Sequence, residues 1–327
     1  MIISKTPFRI SFFGGGTDYP AWFEKNGGAV LSTTIDKYCY ITVRYLPPFF
    51  KHKHRIVYSF IENVGSIKEI KHPVVKALLE SFKIDKGLEI HHDGDLPARS
   101  GLGSSSSFTV GMLNALYALK GKMVSKKDLA KEAIHVERYM LKENVGSQDQ
   151  VAVSYGGFNK IVFHNDHSFR VESMALSKER IDKLQSHLML VFTGLSRFSS
   201  EIAADQIRNT RRNKEELSAM YQLVDESIRI LNNGGNIAEF GKLLHESWMI
   251  KKSLSKKVSN PDIDRVYAKA LKCGAAGGKL LGAGGGGFML LFVRPEDRQK
   301  VARGLKGLLE VKFKFENEGS QIIYYNP

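Results

Sequence analysis

The sequence predicts an α+β fold in two domains, and three observations carry that prediction. The chain has 327 residues, more than one hydrophobic core comfortably holds, so two domains in one body are expected. Its first third alternates apolar and polar residues as strands do, whereas its second half carries long helical spacings. The two textures then mix without the regular βαβ alternation of a doubly wound sheet.

The elements follow in order. Phe8 to Phe13, Ala29 to Ile35 and Tyr38 to Tyr45 read as strands, and Pro47-Pro48 ends the run. A basic stretch leads to a strand from Ile56 to Ile61, a helix from Val74 to Phe82 and a short strand from Leu88 to His91. Phe108, Val110, Met112, Leu113, Leu116, Tyr117 and Leu119 make a densely apolar helix that ends at Gly121. Ser125 and Asp128 form a capping box that opens the next helix, which runs to about Leu141. Phe158 to Phe163 is a strand, and the polar segment Asn165 to Ser168 is a loop near a division into residues 1–170 and 171–327. Leu188 to Thr193 opens the second half as a strand, and helical spacing then predicts helices over 198–233, 237–254 and 262–273. A glycine run, a strand from Phe288 to Val293, a helix after Pro295 and two short strands complete the chain.

Composition narrows the function classes. Hydrophobic residues at 43% and charged residues at 25% describe an ordinary globular chain. Cys39 and Cys273 suggest neither a disulfide framework nor a zinc spacing, and a reducing cytoplasm fits them. The N-terminus lacks a signal-peptide core, and no run approaches ~18 apolar residues, so no membrane partner is expected. The net charge of +14 admits nucleic acid or anionic metabolites as partners. Lys and Arg are nevertheless scattered, with only short clusters such as Lys51 to Arg55 and Arg211-Arg212, and no aromatic-spaced RNA motif or zinc finger accompanies them. No nucleic-acid partner is therefore expected. His91-His92-Asp93, His52 and His54 lack a matching set of metal ligands and read as solvated or strand-edge residues.

Three glycine-rich segments carry the chemistry. The strongest is Leu96-Pro97-Ala98-Arg99-Ser100-Gly101-Leu102-Gly103-Ser104-Ser105-Ser106-Ser107, between a strand and the apolar helix. Its glycines let backbone N–H groups turn inward, and the helix N-terminus adds unpaired donors and the positive end of a dipole. Four serine hydroxyls complete a cradle suited to the oxygens of a triphosphate. The segment lacks the Gly-Lys-Ser/Thr of a Walker A loop, and neither a His-Arg-Asp loop nor an Asp-Phe-Gly triplet is present. In the second segment, Pro7 to Tyr19, a strand delivers Gly14-Gly15-Gly16 and then Thr17-Asp18. Glycines allow close approach of a ligand, and a carboxylate accepts hydrogen bonds from vicinal sugar hydroxyls; a plain hairpin turn is the competing reading. The third, Gly277 to Gly287, formally contains G-x-G-x-x-G from Gly282. A helical pattern precedes it and a strand follows, the reverse of a dinucleotide fingerprint, so it reads as a backbone loop closing on the site.

In this order the three segments resemble the motifs of the GHMP kinases, named for galactokinase, homoserine kinase, mevalonate kinase and phosphomevalonate kinase. The resemblance runs from Lys5 to the C-terminal strands. The Gly-Gly-Gly-Thr-Asp opening and Thr193-Gly194-Leu195-Ser196-Arg197 are similar to the heptose and fucose branch. The resemblance implies an N-terminal domain like ribosomal protein S5 domain 2, a ferredoxin-like C-terminal domain, and ATP meeting its acceptor between them. It implies that Pro97, Arg99, the Ser100–Ser107 run and Gly284, Gly285 and Gly286 bind ATP. Ser104 and Glu137 would hold Mg²⁺, and Asp149 would be the catalytic aspartate, with Lys5 lowering its pKa. Arg9, Gly15, Gly16, Thr17, Asp18, Asp149 and Arg197 would meet the sugar, with Arg99, Arg197 and Lys160 as candidates for a phosphate on it. Galactokinase-like members carry Gly-Glu-His-Thr-Asp where this chain has three glycines, so a bulkier or phosphorylated sugar has more room.

The implied reaction moves the γ-phosphoryl group of Mg-ATP to an anionic sugar phosphate in the cytoplasm. The branch implies a heptose 7-phosphate acceptor, phosphorylated at its anomeric C1 hydroxyl on the way to nucleotide-activated heptose for surface polysaccharide; the family also admits a homodimer. Fucose is the alternative acceptor. A non-catalytic sugar or nucleotide sensor is the alternative of another class, and a nucleic-acid binder a third. Loss of Glu137 or Asp149 would favour the sensor, and both residues are present.

Overall fold

A computed structural model describes residues 1–98, 100–194 and 199–326. In chain order the first half comprises β1 (Ile2–Phe13), α1 (Pro20–Asn26), β2 (Gly28–Tyr45), β3 (His54–Val57), β4 (Ile61–Val64), α2 (Pro73–Ser81), β5 (Leu88–Gly94), α3 (Ser104–Leu119), α4 (Lys126–His135), α5 (Gln148–Tyr155), β6 (Phe158–Phe163) and β7 (Phe169–Ser173). The second half comprises α6 (Lys178–Ser186), β8 (Leu188–Phe192), α7 (Ser199–Arg208), α8 (Lys214–Asn232), α9 (Ala238–Ser253), α10 (Pro261–Lys272), β9 (Ala275–Leu280), β10 (Phe288–Val293), α11 (Arg298–Gly304), β11 (Leu309–Val311), β12 (Phe315–Glu316) and β13 (Gln321–Tyr325).

The elements build two sheets. The larger follows the path β13-β1-β2-β5-β3-β4, with β6 and β12 also paired to the long β2 and β7 paired to β6. Strand β2 serves two neighbours on one side of its length, pairing β6 over Gly28–Thr33 and β5 over Cys39–Tyr45. The smaller sheet is antiparallel, in the order β11-β8-β10-β9. Strand β7 crosses residue 170, and β12 and β13 return to the larger sheet, where Tyr325 pairs Ile2 and Phe315 pairs Ile35. The sheet built mainly from the first half is thus completed by the last residues of the chain.

Helix α3 is apolar all round because it is buried, lying on β1 and β2 with Phe108, Val110, Leu113 and Leu116 inside. The two sheets meet across one apolar core, in which Phe12 and Phe13 of β1 pack edge-on against Phe240 of α9 at 5.6 and 5.1 Å. The Ser125 capping box forms as expected, its hydroxyl accepting from Asp128 N at 3.1 Å.

Three elements depart from the sequence reading. The strand expected over Ile56 to Ile61 is the middle of a hairpin, closed where Tyr58 N donates to Phe60 O. The single helix expected over 198–233 breaks between Arg208 and Lys214, where Asn and Thr side chains compete with the helical backbone: Thr210 bonds back to Ile207 O, and the Asn213 amide reaches Leu254 O. The third glycine segment begins as β9 rather than as a helix-to-loop junction. Gly277 and Gly278 lie inside that strand because neighbours press on it: a Cβ at Gly277 would stand 1.9 Å from Gly241 O of α9, and one at Gly278 2.4 Å from Leu290 O of β10.

Candidate active site

Arg9, near the middle of β1, organises the site. Its Nε and Nη2 donate to Oδ1 and Oδ2 of Asp149, each at 2.8 Å, a bidentate fork on a carboxylate in the first turn of α5. Its Nη1 donates to Gly101 O at 2.8 Å, and its backbone N donates to Leu102 O at 3.0 Å. One guanidinium therefore ties the serine-rich loop to the carboxylate. Gly101 and Gly103 have φ values of +82° and +76°, which other residues rarely adopt. A Cβ at Gly103 would lie 3.1 Å from Arg9 Cγ and 3.5 Å from Asp149 Oδ2, so the loop runs directly beside the fork, and its left-handed φ favours glycine there.

The loop then enters α3, and its serines divide by task. Ser105 is exposed at the helix N-terminus. Ser106 donates to Glu137 Oε2 at 3.0 Å. Ser107 is fully buried and donates to Pro7 O and Gly103 O, which fastens α3 to β1. Leu102 is likewise fully buried in the core, so it and Ser107 shape the cradle from behind. Pro97 is exposed ahead of the loop.

Glu137 lies in a π-helical turn, Val136–Met140, that continues α4. It is fully buried; Ser106 and the Gln150 amide both donate to its Oε2, and its Oε1 has no hydrogen-bond partner among the described residues. Burial pushes its pKa up to about 7, against hydrogen bonds that favour the charged form. A buried carboxylate oxygen without a partner, beside serine hydroxyls at a helix N-terminus, fits a divalent cation that takes few protein oxygens and fills the rest of its shell with water and phosphate.

The glycine turn after β1 presents the second acid. Gly16 N donates to Asp18 Oδ1 at 3.0 Å, and the Asp18 carbonyl accepts from Ser147 N at 3.1 Å. Burial, and next the Asp149 carboxylate, push the Asp18 pKa above the ordinary value; bonds from the Gly16 and Asp18 backbones and from Gln148 oppose them. Gly15 is partly exposed at the turn, near Gln148, and Gly16 is buried. Thr17 departs from its expected role as a sugar contact: its hydroxyl donates to Gly14 O and Ala29 O and accepts from Ala29 N, so it builds the turn.

The third loop seals the arrangement. Phe288 N donates to Ser100 O at 3.0 Å, and a Cβ at Gly282 would stand 2.5 Å from Gly101 Cα. Contact with the serine-rich loop is thus made through Gly282 and Gly287, whereas Gly284, Gly285 and Gly286 are buried, with Gly285 N bonded to Val258 O.

Comparison with known proteins matches the chain to one family. The description "GHMP kinases N terminal domain" matches residues 67–157, and "GHMP kinases C terminal" matches residues 220–310. The chain belongs to the GHMP kinases. It is 29% identical to the D-glycero-alpha-D-manno-heptose 7-phosphate kinase of Campylobacter jejuni, over 97% of both chains. It is 26% identical to the galactokinase of Pyrococcus furiosus, over 96% of this chain and 95% of that one. Among solved structures, a D-glycero-D-manno-heptose 1-phosphate kinase from Bacteroides thetaiotaomicron superposes with a TM-score of 0.82 over 100% of both chains at 24% identity, which supports the fold. This GHMP kinase is accordingly an ATP-dependent sugar kinase, a phosphotransferase with an alcohol acceptor.

Within the GHMP kinase site, other expected residues fall elsewhere. Lys5 was expected beside Asp149. It lies instead over the Tyr38 ring at 3.8 Å, near Glu316, and the cation on Asp149 is Arg9, four residues further along β1, or about 13 Å of strand. Lys160 is paired with Asp225 at 2.6 Å. Arg99 and Arg197 lie outside the described residues. Two buried cations were not foreseen. Lys251 of α9 donates to Leu280 O at 3.2 Å and to Gly282 O, and Lys279 of β9 donates to Phe12 O at 2.6 Å. No local motif marks either; they reach the site only because α9 packs on β9. Gln148 and Gln150, which serve Asp18 and Glu137, flank Asp149 in a segment that had been singled out for the aspartate alone. Among the described residues no helix is long and apolar enough to cross a membrane.

Proposed function

We propose that this kinase transfers the γ-phosphoryl group of Mg-ATP to the anomeric C1 hydroxyl of a heptose 7-phosphate, giving the 1,7-bisphosphate. The reading rests on one observation above the others: Asp149 stands at the serine-rich loop, with Gly103 against its carboxylate and Arg9 gripping both. Phosphoryl transfer asks chiefly for positioning and charge neutralisation, and this constellation supplies both. Backbone donors at 101–103 and the N-terminus of α3 hold the phosphates. Asp149 accepts a hydrogen bond from the acceptor hydroxyl and orients its oxygen; as the new P–O bond forms, the bond from the γ-phosphorus to the bridging oxygen breaks, ADP leaves, and the hydroxyl proton passes to the Asp149 carboxylate and on to solvent. Asp18 accepts hydrogen bonds from sugar hydroxyls at the glycine turn. Glu137, to which Ser106 donates, would hold Mg²⁺ together with Ser104, the ligand that the family resemblance implies, and the ion would neutralise phosphate charge when bound.

The choice of sugar is supported by the relatives and by the three glycines where galactokinase-like members carry polar side chains. ADP release measured with heptose 7-phosphate, the free heptose, fucose and galactose tests it. Turnover is expected on heptose 7-phosphate at least 10-fold above the others, the worth of one charge-assisted contact. Preferred turnover of free fucose would overturn the choice of acceptor.

A further inference from the structure

Lys251 and Lys279 are buried, with relative exposures of 6% and 2%, and neither forms an ion pair among the described residues. An ammonium carries three donors. Lys251 uses two, on Leu280 O and Gly282 O, and Lys279 uses one, on Phe12 O. Among the described residues, three N–H groups of the two ammonium forms therefore have no acceptor. The charged groups facing Lys251 are Arg9 from β1, Asp18 from the turn after it, Asp149 from α5 and Lys279 from β9. Arg9 is already committed to Asp149 and Gly101. If all are ionised, three cations stand against two carboxylates, an imbalance that an incoming anion would correct. The carbonyl that Lys251 holds belongs to Gly282, which abuts Gly101 of the phosphate loop.

We propose that Lys251, backed by Lys279, is a charge-adjusting positioning residue for phosphoryl transfer: without ligand it ties α9 to the third glycine loop, which abuts the serine-rich loop, and it takes up a proton when a polyphosphate anion enters. Burial, and next the Arg9 guanidinium, lower its pKa to about 7 in the empty cleft, while Asp18 and Asp149 oppose that shift. Lys279 is lowered well below its ordinary value, again chiefly by burial. A polyphosphate nearby reverses the balance and raises the pKa of Lys251, so binding draws a proton from solvent. The proton ends on Nζ, and no bond to the ligand forms or breaks.

The proposal rests on the kinase reading above, and calorimetry separates the two. A non-hydrolysable ATP analogue with Mg²⁺ is titrated into the full chain at pH 8, where the analogue's own phosphates are already ionised. Buffers of different ionisation enthalpy report the proton count. Uptake on the order of one proton is expected in the wild type and close to none in Lys251→Met. Methionine replaces the stem volume without a buried charge, so the melting temperature should hold or rise. Its kcat should fall about 10-fold or more, with a smaller change in KM for ATP. Lys251→Arg stays charged and should recover kcat without proton uptake. Buffer-independent heat in the wild type, uptake retained in Lys251→Met, or joint loss of melting temperature and turnover that arginine fails to restore would each overturn the proposal. Absence of any nucleotide heat in the wild type would overturn the kinase reading itself.

Discussion

Asp149 and Glu137 are both acids tied to the serine-rich loop, yet their surroundings give them opposite characters. Asp149 is partly exposed and forked by Arg9, so its carboxylate stays in place for an acceptor hydroxyl. Asp149→Asn keeps the shape but weakens the acceptor and half of the Arg9 fork. Turnover should fall ~10²–10⁴-fold, with affinity for an ATP analogue nearly unchanged, as initial rates and calorimetry would report. Glu137 is sealed from water, and its pKa rises from 4.5 to about 7 without a cation. Between those values the folded state holds a proton that the unfolded state releases. Metal-free stability should therefore decline as pH rises through that window, by up to about 3 kcal/mol. Urea unfolding of Glu137→Gln without magnesium should lose that slope and show a higher midpoint than wild type at pH 8. Parallel pH curves for the two proteins would contradict the burial argument.

At the scale of elements, function sits where strands end in glycine and helices begin. Gly101 has φ +82°, and a Cβ there would meet Leu281 O at 2.5 Å. Gly101→Ala should cost ~1–3 kcal/mol, read as a lower melting temperature, and weaken nucleotide binding by pushing the serine-rich loop and the third glycine loop apart. These loops were legible in the sequence because glycine and serine were dense and local, and because a strand or a helix could be placed beside each. The same density hid β9: Gly277 and Gly278 look like loop until α9 and β10 are seen pressed against them. The hairpin at Tyr58 was hidden for the opposite reason, since its turn Tyr58-Ser59-Phe60 carries neither glycine nor proline. Lys251 and Lys279 were invisible as site residues because their neighbours come from β1 and α5, more than a hundred residues away in sequence. Lys5 was assigned to Asp149 by family likeness, and strand geometry gives that place to Arg9.

For the whole molecule, the return of the C-terminus matters most. Strands β12 and β13 lie on β2 and β1, and β1 carries Arg9 and leads to the Asp18 turn. A chain ended after Val311 would expose the edge of β1 and lose the covering strand. It should aggregate or melt without cooperativity, as circular dichroism during heating would show; a melt identical to that of the full chain would mean that the returning strands contribute nothing. The two sheets share one apolar core, so the loops that carry the site rise from rigid elements and can be held at fixed spacing. The most direct test of this account is a crystal structure with a non-hydrolysable ATP analogue, Mg²⁺ and heptose 7-phosphate. The account predicts the phosphates within the loop at 101–107 and the acceptor hydroxyl within about 3 Å of Asp149. An empty loop, or an aspartate turned away from the terminal phosphate, would contradict it.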